Sequence, residues 1–139
     1  MKHNPLIIFG VLLGAVVLLS SCNGKNVPLS GKVTFSDDGS PLTKGTVYFE
    51  TPVFRAQGEI KPNGTYSVIS TSVSKGLPPG EYKVYIGGAV DVEMKTVHSV
   101  PMPVHTPLIA PKLANPVTSE LSVVVDKKTR KYDITVDRP

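Results

Sequence analysis

Two hydrophobic patterns share this chain, and one gives way to the other near residue 22. Residues 5–19 (PLIIFGVLLGAVVLL) are apolar without a break. Beyond residue 27 the apolar positions come in short alternating runs. Leu29, Gly31, Val33 and Phe35 alternate with Ser30, Lys32 and Thr34. A period of two puts one set of side chains on a buried sheet face, so this is a strand. The same reasoning predicts strands over 46–50, 54–60, 65–70 and 81–86. The intervening segments 36–41 (SDDGSP), 61–64 (KPNG) and 77–80 (LPPG) carry turn residues. Proline presets φ there, and Asn or Gly accepts positive φ.

After Gly87-Gly88 the residues Val90, Val92 and Met94 alternate with Asp91, Glu93 and Lys95. This predicts either a continuation of the preceding strand past a bulge or a short extra strand. Residues 99–117 hold Pro101, Pro103, Pro107, Pro111 and Pro116. Proline cannot donate to a ladder, so the segment reads as a long proline-rich loop. Residues 118–126 (Leu121, Val123, Val125) and 131–137 (Tyr132, Ile134, Val136) predict a terminal hairpin with its tip at 127–130. No ten-residue stretch beyond residue 22 has helical spacing. The fold class is therefore all-β: a single antiparallel β-sandwich of seven or eight strands.

The N-terminal run has a different meaning. Lys2 and His3 precede it, and its 15 residues would span about 22 Å as a helix. A bilayer core is about 30 Å thick, so the run is short for a permanent span. A positive start, an apolar middle and small residues at its end are the layout of a secretory signal. Leu19-Ser20-Ser21-Cys22 resembles the lipobox of bacterial lipoprotein precursors. The resemblance implies a signal peptide over 1–21, cleavage before Cys22, a diacylglycerol thioether on that cysteine and acylation of its new amine, for example with palmitate. Two or three chains anchor far more firmly than one. Cys22 is the only cysteine, which leaves it no partner for an internal disulfide. The alternative is an uncleaved anchor helix, which also tethers the domain. Asn23, in place of an aspartate, favours the outer membrane or cell surface over the inner membrane.

Residues 22–27 form a short polar tether, and 28–139 the sandwich. Removing residues 1–21 leaves 118 residues, enough for one domain with a modest core. The net charge is +4, with acids and bases interspersed. The one basic cluster, Lys127, Lys128, Arg130 and Lys131, reads as a solvated hairpin tip. Only Tyr132 is interleaved with it, which excludes base stacking and with it nucleic-acid binding.

The turns and strands carry a second resemblance. Gly31-Lys32-Val33, Asp38-Gly39-Ser40-Pro41-Leu42 and residues 45–49 (GTVYF) resemble the first hairpin of carboxypeptidase regulatory-like domains. Asn63-Gly64-Thr65-Tyr66 and residues 77–84 (LPPGEYKV) are similar to later motifs of that family. The segment 115–121 (NPVTSEL) resembles a feature of small planctomycete-type lipoproteins. The implied fold is transthyretin-like, or immunoglobulin-like in the wider sense, preceded by the signal-peptide helix. These motifs specify turns and say almost nothing about function. The enzymatic transthyretin-like group, the hydroxyisourate hydrolases, carries a C-terminal Tyr-Arg-Gly-Ser. Here the corresponding residues are Asp137-Arg138-Pro139, so that activity does not carry over.

Few residues suit chemistry. His98 borders the proline-rich segment and His105 lies among its prolines, and Asp91 and Glu93 precede it. Their spacing matches no metal-ligand motif, so they read as exposed loop residues with no metal or cofactor. No nucleophile elbow is present. The expectation is a non-catalytic, membrane-anchored envelope lipoprotein whose sandwich is a structural or interaction module. The alternative is a carbohydrate- or peptide-binding module at the cell surface that uses Tyr48 and Tyr85, both expected to be exposed. Expected partners are the membrane, through lipid on Cys22, and either envelope polysaccharide or another envelope protein.

Overall fold

Residues 26–70 and 76–139 are described by a computed structural model. Residues 1–25, on which the expected signal peptide, Cys22 and most of the expected tether fall, lie outside the described residues, as do residues 71–75. Ten strands follow in chain order: β1 (Ser30–Phe35), β2 (Thr46–Glu50), β3 (Arg55–Glu59), β4 (Thr65–Ser67), β5 (Ile69–Ser70), β6 (Gly80–Gly87), β7 (Val90–Val97), β8 (Val100–Pro107), β9 (Leu121–Val125) and β10 (Ile134–Val136). A single 3-10 turn, Pro111–Ala114, is the one helical element among the described residues.

Alternation decides which face each strand buries. In β1 the side chains of Val33 and Phe35 point inward, and in β2 those of Val47 and Phe49. Val84 and Ile86 of β6 join them, with Tyr66, Ile134 and Val136 from the other layer. The strands form a three-stranded sheet, β10-β1-β4, and a five-stranded sheet, β5-β3-β2-β6-β9. Phe49 meets Tyr66 at 6.1 Å and Tyr132 at 6.3 Å between ring centroids, and this aromatic cluster joins the two layers. The fold is an all-β sandwich.

The turns form as their residues dictate, but several of them link different sheets. β1 and β2 do not pair as a hairpin. The chain doubles back over β1 through the Thr34–Pro41 bridge, then crosses to the second layer. The Lys61–Gly64 turn closes with Gly64 at φ +83. It too carries the chain across, from β3 to β4. The predicted strand over 65–70 divides at the buried Val68, so that β4 joins one sheet and β5 the other. Val27, assigned to the tether by composition, is buried and bridged to Leu77.

The expected terminal hairpin is also absent. β9 pairs antiparallel with β6, and β10 pairs with β1 in parallel, Val33 opposite Ile134. The turn between them is real: Asp126 Oδ1 accepts from the Lys128 and Thr129 amides at 2.8 and 2.9 Å. Its role is to change layers. Both strands alternate, and alternation cannot say which neighbour each one takes.

The 99–117 segment is not a single loop. Residues 100–107 form β8, which pairs with β7 along its whole length, from Val90 opposite Pro107 to Val97 opposite Val100. The prolines fit because of their phase. Pro101, Pro103 and Pro107 have equal parity, and all oppose even-numbered residues of β7. A hydrogen-bonded antiparallel pair needs an N–H from both residues. These pairs are therefore the non-bonded ones, and each proline nitrogen faces outward, where no ladder donor is missing. His98 and Ser99 close the hairpin, both at positive φ (49° and 64°). Two positive-φ residues between paired strands make the tight turn favoured by strand twist.

One contact governs the three-stranded sheet. Gly31 lies under the Tyr132 carbonyl, which accepts a hydrogen bond from the buried Tyr66 hydroxyl. A Cβ on Gly31 would sit 1.9 Å from that carbonyl oxygen, a distance only backbone movement relieves. Gly31→Ala is expected to destabilise the domain by about 2–4 kcal/mol in urea unfolding. At Gly39 a Cβ meets open space and the only obstacle is a φ of +70°, so Gly39→Ala is expected to cost about 1–2 kcal/mol. Equal losses at the two positions would contradict the close-approach account.

Candidate functional site

The arm formed by β7 and β8 is the most distinctive surface. Its strands pair with each other and with no other strand among the described residues. Eight residues per strand at about 3.3 Å each make it about 26 Å long. Its base is fixed to the sandwich by Leu108 N–H donating to the Ala89 carbonyl at 2.9 Å and by the Lys44–Asp91 ion pair at 2.6 Å. Beyond that base almost every side chain is exposed, including Val92, Met94, Val97, Val100 and Met102; Met94 is 65% exposed. One face carries Val90, Val92, Met94, Pro101, Pro103 and Pro107 together with Thr96 and His105. Asp91, Glu93 and Lys95 lie on the other face with Val97, Val100, Met102 and Val104. A run of apolar side chains on a projecting ribbon suits contact with another surface.

The ladder also separates the candidate metal ligands. His105 stands opposite Val92, on the face away from Asp91 and Glu93, and His98 is in the turn at the tip. No group of three or more His, Cys, Asp or Glu side chains gathers among the described residues.

Tyr48 and Tyr85 are cross-strand neighbours on the outer face of the five-stranded sheet. Their rings stack at 4.9 Å and 15°. Arg55 lies over both rings and donates to the Tyr85 hydroxyl. The expectation of two exposed tyrosines fails at Tyr85, which is only 6% exposed. Arg55 and Tyr48 cover it, so the pair offers no open aromatic platform.

A groove of about 430 Å³ opens beside β6, lined by Glu50, Thr51, Pro52, Glu81, Tyr82, Lys83, Pro116 and Val117. Two of its hydroxyls are engaged within the fold. That of Thr51 donates to the Phe54 carbonyl at 3.4 Å. The Tyr82 hydroxyl donates to the Pro78 carbonyl at 2.6 Å, and Glu50 stands opposite Lys83. Nothing in it supplies a nucleophile with an adjacent base. The 115–121 segment beside it is structural. Asn115 Oδ1 accepts from Val117 N–H at 2.8 Å, and the buried Ser119 Oγ donates to the Val84 carbonyl at 2.5 Å. These bonds seat β9 against β6.

The basic cluster surrounds the Asp126 turn and is exposed except for a half-buried Thr129. Arg130 turns back to the Lys127 and Thr129 carbonyls. A different basic residue, not singled out by spacing, does more. Arg138 lies 3.8 Å over the Phe35 ring and pairs with Asp37 at 2.7 Å and Asp38 at 3.3 Å. It fastens the last residues to the β1–β2 turn.

No known family model matches the chain, and no curated protein matches it. Three solved structures are similar. A DUF3823 family protein from Bacteroides ovatus shares 17% identity over 81% of this chain and 44% of its own, with a TM-score of 0.44. The major pilin subunit of Bacillus cereus shares 10% over 82% of this chain and 30% of its own, with a TM-score of 0.44. A 9R-lipoxygenase from Cyanothece shares 14% over 82% and 16%, with a TM-score of 0.36. This chain spans less than half the length of each. Likeness at this level carries no function.

The turn held by Arg138 has a titration signature. Asp38 Oδ1 accepts from the Ser40 hydroxyl at 2.6 Å and the Ser40 amide at 2.9 Å. These bonds, with Arg138 nearby, hold its carboxyl down at about 2. A carboxylate depressed in the folded state stabilises the fold above its unfolded range near pH 3.9. That contribution disappears as pH falls through about 2. Carboxyl NMR titration should show Asp38 with a midpoint near 2, and Ser40→Ala should raise it towards the ordinary range. An unshifted midpoint in the variant would show that Ser40 is not the principal cause.

Proposed function

We propose that this protein is a membrane-anchored envelope lipoprotein whose β-sandwich is a non-catalytic interaction module. The carrying observation is a sole cysteine placed at the end of an apolar run and a Leu-Ser-Ser-Cys lipobox. That cysteine would take the lipid, and residues 23–26 would link it to the first buried residue, Val27. Support for the interaction role comes from the arm, which holds apolar side chains clear of the core. No helix among the described residues is long and apolar enough to cross a membrane, and a lipid anchor requires none.

The anchor is tested by mass spectrometry of the native N-terminal peptide. The expected result is a peptide beginning at Cys22 with the mass of a diacylglycerol and an amide-linked chain. Cys22→Ala should move the protein from the membrane fraction to the soluble fraction or leave an uncleaved precursor. An unmodified Cys22 thiol in membrane-bound protein would contradict the proposal.

A further inference from the structure

The two long edges of the arm differ in chemistry. On β8 the residues whose backbone faces outward are Pro101, Pro103, His105 and Pro107, as the ladder parity requires. Three of the four carry no N–H, so another strand cannot pair along this edge. On β7 the outward residues are Val90, Val92, Met94 and Thr96; Val90 N–H is turned back to the Gly88 carbonyl at 2.9 Å, and the other three carry an N–H and a carbonyl on this edge. A two-stranded ribbon is marginal by itself in water, and further strands stabilise it. One edge of the arm is therefore closed and the other is open.

Charge restricts what fits the open edge. An antiparallel strand identical to β7 must set even residues opposite even residues, because only these direct hydrogen-bonding groups outward. The odd residues Asp91, Glu93, Lys95 and Val97 then face one another in non-bonded pairs, where side chains are closest. Centring the pairing on Val92 sets Asp91 against Glu93 twice. Centring it on Glu93 opposes two glutamates at the axis and sets each Lys95 against an Asp91 that Lys44 already holds, and centring it on Lys95 opposes two lysines. Only centring on Met94 sets each Glu93 opposite the Lys95 of the other strand. Within one chain these two are only loosely paired, at 3.9 Å, and both are well exposed. Asp91 is already occupied by Lys44.

We propose that β7 pairs antiparallel with β7 of a second copy of this chain, with Met94 at the two-fold axis. The result is a four-stranded sheet, β8-β7-β7-β8, with prolines on both outer edges. Val92 and Met94 of both copies form one continuous apolar strip on it. The inference rests on the arm being an interaction surface and names its partner. Lipid anchoring on one membrane would concentrate the copies and favour the pairing.

The test is oxidative crosslinking of the full lipidated chain in membranes. Met94→Cys places two new thiols on an antiparallel pair with Cα atoms about 5.5 Å apart, within disulfide range. The expected product is a disulfide-linked dimer. Met102→Cys, on β8 and on the opposite face, should give none. In the Met94→Cys background, Glu93→Lys or Lys95→Glu alone should lower the dimer about tenfold, since each sets like charges opposite each other twice. The double reversal should restore it. Circular dichroism should show all variants folded, because these side chains are exposed. Absence of dimer in folded Met94→Cys, or single reversals without effect, would overturn the proposal. A crosslink to a different protein would overturn self-pairing and leave the arm as a docking surface.

Discussion

A strand carries hydrogen-bonding groups on both edges, and the way each edge is closed shapes this molecule. The edges of β1 are taken by β10 on one side and β4 on the other. That arrangement requires Gly31, because the Tyr132 segment passes too close for any side chain. The edges of β6 are taken by β2 and β9, and Ser119 ties the entry of β9 to Val84. The outer edge of β8 is closed chemically, by three prolines of one parity. The outer edge of β7 carries a run of donors at Val92, Met94 and Thr96.

The sequence revealed the strands much better than their partners. Alternation located β1, β2, β3 and β6 to within a residue or two, because their inward side chains, such as Val33, Phe49 and Val84, reach the core. It could not distinguish a hairpin from a change of layer. The turns at 36–41, 61–64 and 126–130 have the chemistry of tight turns and form as such, yet each leads into the other sheet. Which sheet receives a strand depends on contacts across the core, such as Phe49 with Tyr66 and Tyr132, and no local pattern records these.

The arm shows a different limit. Proline composition suggested a loop, whereas proline spacing permits a strand. A single proline removes a donor; prolines two residues apart remove donors from one edge only. The closing turn carried no Asn-Gly signal, since His98 and Ser99 take the positive-φ positions themselves. Among site residues, the exposure of Tyr85 was misjudged because Arg55 covers it from a neighbouring strand. The role of Arg138 was missed because its partners lie about a hundred positions earlier in the chain. Cys22 lies outside the described residues, and its proposed lipidation rests on the resemblance of Leu19-Ser20-Ser21-Cys22 to a lipobox.

Together these features describe a β-sandwich with one projecting ribbon. The ribbon's two edges differ, one closed by proline and one open among the described residues. Amide hydrogen exchange across residues 90–107 in dilute solution tests this difference most directly. The account predicts alternation along β7: slower exchange at Glu93 and Lys95, whose amides face β8, and faster exchange at Val92 and Met94, whose amides face outward. Uniformly fast exchange through both segments would mean that the proline-rich residues form no ladder, and would contradict it.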